Sequence, residues 1–288
     1  RNSRCTGISA KQYMGSFHLY AGRKNAALYI SNPCSEGADR LNGMKRIIEL
    51  TADGSATLFV PELNEHYHSV KGARTESQHI FIDMGLNASE AVEPHILEIG
   101  FGTGFNALLT LETAERSLRK VHYTGIELYP LSWDIVEPLG YSNNPLFKTL
   151  HMIPWGEDAI ITPHFTLRKV QADVNNVFMC PCGNLSAENT VIPDSNRGIG
   201  TATHWDIIYF DAFAPEKQPE MWSQELFNRL YVIMNPKGIL TTYCAKGIVR
   251  RMLQAAGFTV ERLPGPPGGK REILRARKDC PPEKKTTI

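Results

Sequence analysis

Residues 95–107, HILEIGFGTGFNA, constrain this chain more than any other stretch. An apolar run, Ile96-Leu97-Glu98-Ile99, gives way at once to Gly100, Gly102 and Gly104, and a helical run, Ala107-Leu108-Leu109-Thr110-Leu111, follows. That pattern is a buried strand, a tight glycine turn and a helix start. Glycines are needed where the backbone takes positive φ or must lie against a ligand. The loop amides and the helix N-terminus then face the crevice at the strand's carboxyl end. A dinucleotide would want G-x-G-x-x-G, but Phe105 stands where the third glycine belongs. What remains is E-x-G-x-G-x-G, with Glu98 as the acid inside the strand. The bland alternative is a glycine turn in an α/β protein that holds no ligand.

Strands and helices alternate around this stretch. Residues 121–127 read as the next strand and end in Glu127, an acid about twenty residues after the glycines, where a carboxylate can accept both ribose hydroxyls of a nucleotide cofactor. A strand-end carboxylate in solvent is the alternative. Residues 165–173 form a third strand, whose terminal Asp173 either accepts from an adenine amino group or caps the following turn. Residues 205–211, WDIIYFD, are apolar enough to be central in a parallel sheet. A helix over 223–234, a strand over 238–243, a helix over 246–256 stopped by Gly257, and strands over 258–263 and 272–276 complete the run. The order predicts an α/β fold with a mostly parallel sheet and an antiparallel C-terminal edge strand. Ahead of the glycine loop, 46–51 and 56–60 flank Asp53-Gly54, a hairpin turn signal, and a helix follows with Thr75 or Ser77 as its N-cap.

The E-x-G-x-G-x-G loop resembles the first motif of class I S-adenosylmethionine methyltransferases. A longer match lies at 211–222, where DAFAPEKQPEMW resembles the D-[GA]-F-A-P-x-K-x-P-x-M-W signature of the methyltransferase domain of the MnmC family, including its standalone form, MnmD. The resemblance extends back through Tyr67-His68-Ser69, Gly72-Ala73 and Glu76-Ser77, and forward to Pro267-Gly268-Gly269-Lys270-Arg271, covering about 44–278. It implies a Rossmann-like class I sheet, S-adenosyl-L-methionine as cofactor and the tRNA anticodon stem-loop as partner. The implied reaction methylates the amine of 5-aminomethyl-2-thiouridine at the wobble position. Implied cofactor contacts are Glu98, Gly100, Phe101, Gly102, Thr103, Gly104, Asn106, Glu127 and Asp173. Implied substrate contacts are Tyr67, His68, Glu76, Phe213, Lys217, Lys246, Lys270 and Arg271. The family's flavin-dependent oxidase half has no room in 288 residues, so the chain resembles the standalone form.

Residues 1–43 have no counterpart in that resemblance and, rich in Ser, Asn, Gly and basic residues, read as an extension with little core; Met44 is an alternative start. Residues 44–94 read as a β-hairpin and helix capping the substrate side, 95–279 as the methyltransferase domain, and 280–288 as a tail. Within that domain, about 180–203 lacks periodicity and reads as a loop insertion. A net charge of +1 gives no global nucleic-acid signature, so any basic surface must be local. No apolar run approaches a membrane span, and no signal peptide pattern opens the chain. Six scattered cysteines without CxxC pairs argue against a zinc site or disulfide framework and for a reducing cytoplasm; Cys180 and Cys182 read as loop residues. No metal is expected, and the oligomeric state is left open, with a monomer the plain expectation.

Methyl transfer from a sulfonium to an amine is an in-line displacement that needs positioned reactants and a free lone pair. An ammonium cannot attack, so a carboxylate beside the nitrogen helps to deprotonate or orient it. Asp211, at the carboxyl end of the central strand, is the expected catalytic group. Phe213, Trp222 and Tyr67 are candidates to sandwich a splayed-out base, with core packing the plainer reading for Trp222. The lysines and Arg271 would meet phosphates or be plain solvated surface. Three rivals stand beside this reading: a dinucleotide oxidoreductase, an aminopropyltransferase-like enzyme on a free amine, and a catalytically idle RNA-binding protein.

Overall fold

The computed structural model describes residues 28–30, 44–177 and 204–280. Apart from one short strand, the expected 1–43 extension lies outside the described residues, as do the loop insertion at about 180–203 with its Cys180/Cys182 pair, and 281–288 of the tail.

Strands β1 (Leu28–Ile30), β2 (Arg46–Leu50), β3 (Ala56–Val60) and β4 (Glu65–His66) form a small antiparallel sheet in that order. The hairpin signal is realised: Gly54 takes φ +81°, and Asp53 Oδ1 accepts from the Ser55 amide at 3.0 Å. Asp53 Oδ2 reaches further, to the Thr75 amide at 3.0 Å in α1 (Ala73–Ser77). Helix α1 therefore starts ahead of the expected Thr75 cap, because a carboxylate from the hairpin takes the orphan amide that a local hydroxyl would otherwise serve. The helix runs on as a wide π-type turn over Gln78–Asp83 that buries Ile80, Phe81 and Ile82.

The main sheet follows from β5 (His95–Ile99), α2 (Phe105–Ser117), β6 (Val121–Glu127), α3 (Trp133–Val136), α4 (Pro145–Met152), β7 (Asp158–Thr162) and β8 (Phe165–Gln171). It continues through α5 (Val174–Val177), β9 (Trp205–Phe210), α6 (Gln224–Ile233), β10 (Met234–Thr242), α7 (Gly247–Ala256), β11 (Thr259–Pro264) and β12 (Glu272–Arg277). The eight strands lie in the order β11-β12-β10-β9-β5-β6-β8-β7, with β10, β9, β5, β6 and β8 mutually parallel. The antiparallel C-terminal strand is β12, and it sits one place in from the edge, between β10 and β11. A second antiparallel strand, β7, closes the opposite edge as a hairpin with β8.

Alternation along the central strands fills both faces. Ile207 and Tyr209 join Ile96, Leu108 and Phe147 on one side; Ile208 and Phe210 join Leu97, Leu230 and Leu253 on the other. Each such side chain, sealed from water, contributes about 1.5–3 kcal/mol. Ser223 Oγ caps α6 by accepting from the Leu226 amide at 3.1 Å. Helix α6 then passes into β10 with no loop: the turn-like Asn235-Pro236-Lys237-Gly238 is an irregular strand start, with a register shift between Met234 and Ile239. From β5 the chain moves outward through β6 to β8, then returns to the other side of β5 for β9 and β10. Connections leave the carboxyl ends of β5 and β9 in opposite directions, which opens a crevice there.

Candidate functional site

A cavity of about 450 Å³ occupies that crevice, within the usual range for small-molecule sites. Its floor is the glycine loop. Gly100 takes φ +91°, and a Cβ there would lie 2.6 Å from the Asp211 carbonyl oxygen. Gly102 takes φ +49°, with Tyr67 Cδ1 3.2 Å from where a Cβ would be. Both positions thus combine left-handed backbone with close approach, the two conditions that call for glycine.

Around this floor stand most of the residues singled out by sequence. Gly100, Phe101, Gly102, Thr103, Asn106, Glu127 and Asp173 line the cavity on the loop side. Tyr67, His68, Glu76, Asp211, Phe213, Lys246 and Lys270 line it opposite. Glu127 Oε2 accepts from the Gly102 amide and Oε1 from the Tyr129 amide, both at 2.9 Å, so this acid braces the loop as well as facing the cavity. Asp173 Oδ1 accepts from the Asn175 amide at 2.9 Å, so the turn-capping role is present alongside the cavity position.

Four of the expected residues are placed elsewhere. Glu98 is wholly buried on β5 behind the loop, and Gly104 packs against Phe101 and His151 at the start of α2; neither lines the cavity. Lys217 and Arg271 also lie off the cavity wall, Lys217 half-buried in the turn after β9 and Arg271 exposed. Trp222 is a core residue packed on Phe210 and Phe227. Its indole nitrogen donates to the Phe213 carbonyl at 2.7 Å, while Gln218 Oε1 accepts from the Phe213 amide and the Tyr243 hydroxyl donates to the Ala212 carbonyl. Two residues of DAFAPEKQPEMW, Gln218 and Trp222, therefore hold the Phe213 backbone, and Tyr243 holds that of Ala212. Tyr67 and Phe213 meet edge to face, centroids 5.2 Å apart, so they form a corner, not the parallel walls of a sandwich. Sequence reading missed Arg46 and Tyr243 on the wall, whose signal is long-range and absent from local pattern; Met221, also on the wall, stood in the 211–222 motif without being singled out.

The electrostatics centre on Asp211. Burial pushes its carboxyl up to about 7, against the opposing donation from Asn106 Nδ2 to Oδ2 at 2.9 Å. The same Nδ2 donates to Glu98 Oε1 at 2.8 Å, and burial holds the Glu98 carboxyl well above the usual carboxylate range. Burial pulls His68 down to about 4, leaving a neutral imidazole whose Nδ1 lies 3.2 Å from the Tyr141 hydroxyl. Glu76 takes the Ser69 amide on Oε2 and the Lys270 ammonium, 2.6 Å away, on Oε1. Lys270 Nζ also stands 4.3 Å above the Tyr243 ring, and Lys246 pairs with Glu216 at the rim. Among the described residues, no group of three or more His, Cys, Asp or Glu is arranged to hold a metal, and no helix is long and apolar enough to cross a membrane.

The cavity suits S-adenosyl-L-methionine by its donor set. Asn106 Oδ1 is a buried acceptor without a partner beside the cavity, matched to an amino group. Glu127 and Asp173 stand at the ends of the next two parallel strands, where the ribose and adenine of such a ligand would fall.

Comparison with known proteins points the same way. Residues 182–279 match a family model described as S-adenosyl-L-methionine-dependent methyltransferase. The bifunctional tRNA 5-methylaminomethyl-2-thiouridine biosynthesis protein MnmC of Magnetococcus marinus is 30% identical over 244 residues, covering 81% of this chain and 34% of that protein. Its counterpart from Cupriavidus metallidurans is 28% identical over 261 residues, covering 81% and 35%. The chain thus spans about a third of the length of these curated relatives. The crystal structure of MNMC2 from Aquifex aeolicus shares the fold, with a TM-score of 0.59 at 24% identity over 82% of this chain and 71% of that one.

Proposed function

From the premise that the chain carries a methyltransferase domain of the MnmC type, we propose that it transfers a methyl group from S-adenosyl-L-methionine to the amine of 5-aminomethyl-2-thiouridine at the wobble position of tRNA, in the cytoplasm. The observation that carries this reading is the place of Asp211: at the end of a central strand, beside the glycine loop and on the cavity wall, where burial pushes its carboxyl up to about 7. When bound, the cofactor supplies an electrophilic methyl group on a sulfonium. Asp211 does what the amine requires, accepting a proton or holding the N–H so that the lone pair faces the methyl. A group with its pKa near the working pH is best matched to that task. Tyr67 and Phe213 offer a corner of aromatic surface on which a uracil ring can lie. The small N-terminal sheet and α1 cap the substrate side, bringing Tyr67, His68 and Glu76 to the cavity. Lys246 and Lys270 at the mouth suit the phosphates of the anticodon stem-loop, each held by a carboxylate until an anionic partner competes for it. The test is mass spectrometry of nucleosides from aminomethyl-bearing tRNA incubated with the protein and labelled methyl donor. One labelled methyl on the aminomethyl nucleoside is expected; label on a free polyamine, or on no nucleoside, overturns the reading.

A further inference from the structure

Glu98 is an acid that the reaction does not use directly. It has no exposure, does not line the cavity, and sits on β5 opposite Gly125 of β6. Its hydrogen bond toward the cavity is to Asn106, in the first turn of α2. Both hydrogens of the Asn106 amide are consumed, one by Glu98 Oε1 at 2.8 Å and the other by Asp211 Oδ2 at 2.9 Å. That pairing sets the amide's orientation, with Nδ2 shared between the two carboxyl groups. It also leaves Oδ1 as a buried acceptor with no protein partner.

We propose that Glu98 and Asn106 are positioning residues for the transfer: Glu98 locks the Asn106 amide, and the locked amide holds Asp211 in place as a carboxylate while presenting Oδ1 to the cofactor. Burial holds the Glu98 carboxyl well above the usual carboxylate range; the Tyr123 hydroxyl and the Asn106 amide act against that shift, and Asp211 and Glu127 add to it. Asp211 is otherwise faced by Glu76 from α1, Lys270 from the loop before β12, Tyr243 from the end of β10 and Tyr123 from β6. Among these neighbours Glu76 raises its pKa and Lys270 lowers it, and the Asn106 donation is the largest influence favouring the charged form. Losing that donation therefore moves the Asp211 titration upward.

The catalytic consequence rests on the amine-methylation reading, but the link itself is a property of the ligand-free protein and is read there. The experiment is a ¹³C NMR titration of the Asp211 side-chain carboxyl, its resonance assigned by loss in Asp211→Asn. It is run in the wild type and in Asn106→Ala, Glu98→Leu and Glu98→Gln. The midpoint is expected to rise by about one unit in Asn106→Ala and Glu98→Leu, as for loss of a hydrogen bond to a charged group. Glu98→Gln, a neutral acceptor of the same length, is expected to restore the wild-type midpoint. The acidic limb of the single-turnover methylation profile should move by the same amount. An unmoved midpoint in Asn106→Ala, or a Glu98→Gln midpoint displaced from wild type, overturns the proposal. If Glu98→Leu does not fold, the other two variants still decide. Shifted titrations with no methylation of tRNA by any form would sink the functional reading and leave the positioning link standing.

Discussion

Glu127 Oε2 accepts the Gly102 amide proton at 2.9 Å, which makes the acid at the end of β6 a structural part of the glycine loop. Replacing Glu127 with Ala removes the brace that shapes the loop and, on the proposed reading, a ribose acceptor. Cofactor affinity should fall by about 1.5–3 kcal/mol, the range for hydrogen bonds to a charged group. Calorimetric titration with S-adenosyl-L-methionine checks this, and affinity equal to wild type would remove Glu127 from the cofactor site.

Gly100→Ala should be damaging in a way that Gly54→Ala is not. Both take positive φ, but an added Cβ at Gly100 would press on the Asp211 backbone, whereas at Gly54 it meets open space. The first should lower stability by about 1–3 kcal/mol and weaken cofactor binding; the second carries only the backbone strain. Chemical denaturation of the two variants makes the comparison, and equal losses would contradict the packing argument.

How far the sequence exposed this arrangement differs by element. The β5–α2 unit was legible because strand, turn and helix are encoded in adjacent residues, from Ile96 to Leu111. Strand β7 was not: it is a half-exposed edge strand of five residues whose pattern is set only by pairing with β8. The 211–222 turn was visible as a motif, but Trp222 and Gln218 turned out to hold the Phe213 backbone, a role no local pattern carries. Glu98 and Asn106 stood out as motif members, yet their link to Asp211 joins positions 105 residues apart. Hairpin register places Glu261 opposite Arg275, a pairing that becomes readable only once β11 and β12 are aligned.

Such pairing decides which basic side chains are left to meet RNA. Arg275 and Arg277 both pair with Glu261, and Lys278 Nζ donates to the carbonyls of Tyr231 and Met234 at the end of α6. Exposed Arg271 is on the same loop as cavity-lining Lys270. Arg271→Ala should therefore weaken tRNA binding and reduce the slope of log affinity against log salt by about 1, whereas Arg275→Ala should cost stability and leave that slope unchanged. Filter binding across a salt series, with melting curves, distinguishes them; the opposite assignment of effects would contradict the placement.

The raised Asp211 carboxyl also predicts a sign for stability against pH. Its folded-state pKa of about 7 lies above the unfolded value, so the protonated form is favoured by folding. The stabilisation is fully present below about pH 4 and is lost as pH rises through 7. Asp211→Asn, which never ionises, should match wild type in acid and exceed it above pH 7, by on the order of 1–4 kcal/mol. Denaturant unfolding at pH 4 and pH 8 reads the difference; an Asn variant less stable than wild type at pH 8 would show that the charged carboxylate is favoured in the fold.

Single-turnover methylation of aminomethyl-bearing tRNA by Asp211→Asn across pH reads whether Asp211 neutralises the substrate amine for methyl transfer. If it does, the variant is stable, binds S-adenosyl-L-methionine, loses about 10²–10⁴-fold in rate at neutral pH, and recovers as rising pH supplies the free amine. A stable Asp211→Asn protein with near wild-type rates at neutral pH, or a loss that higher pH does not relieve, would contradict it.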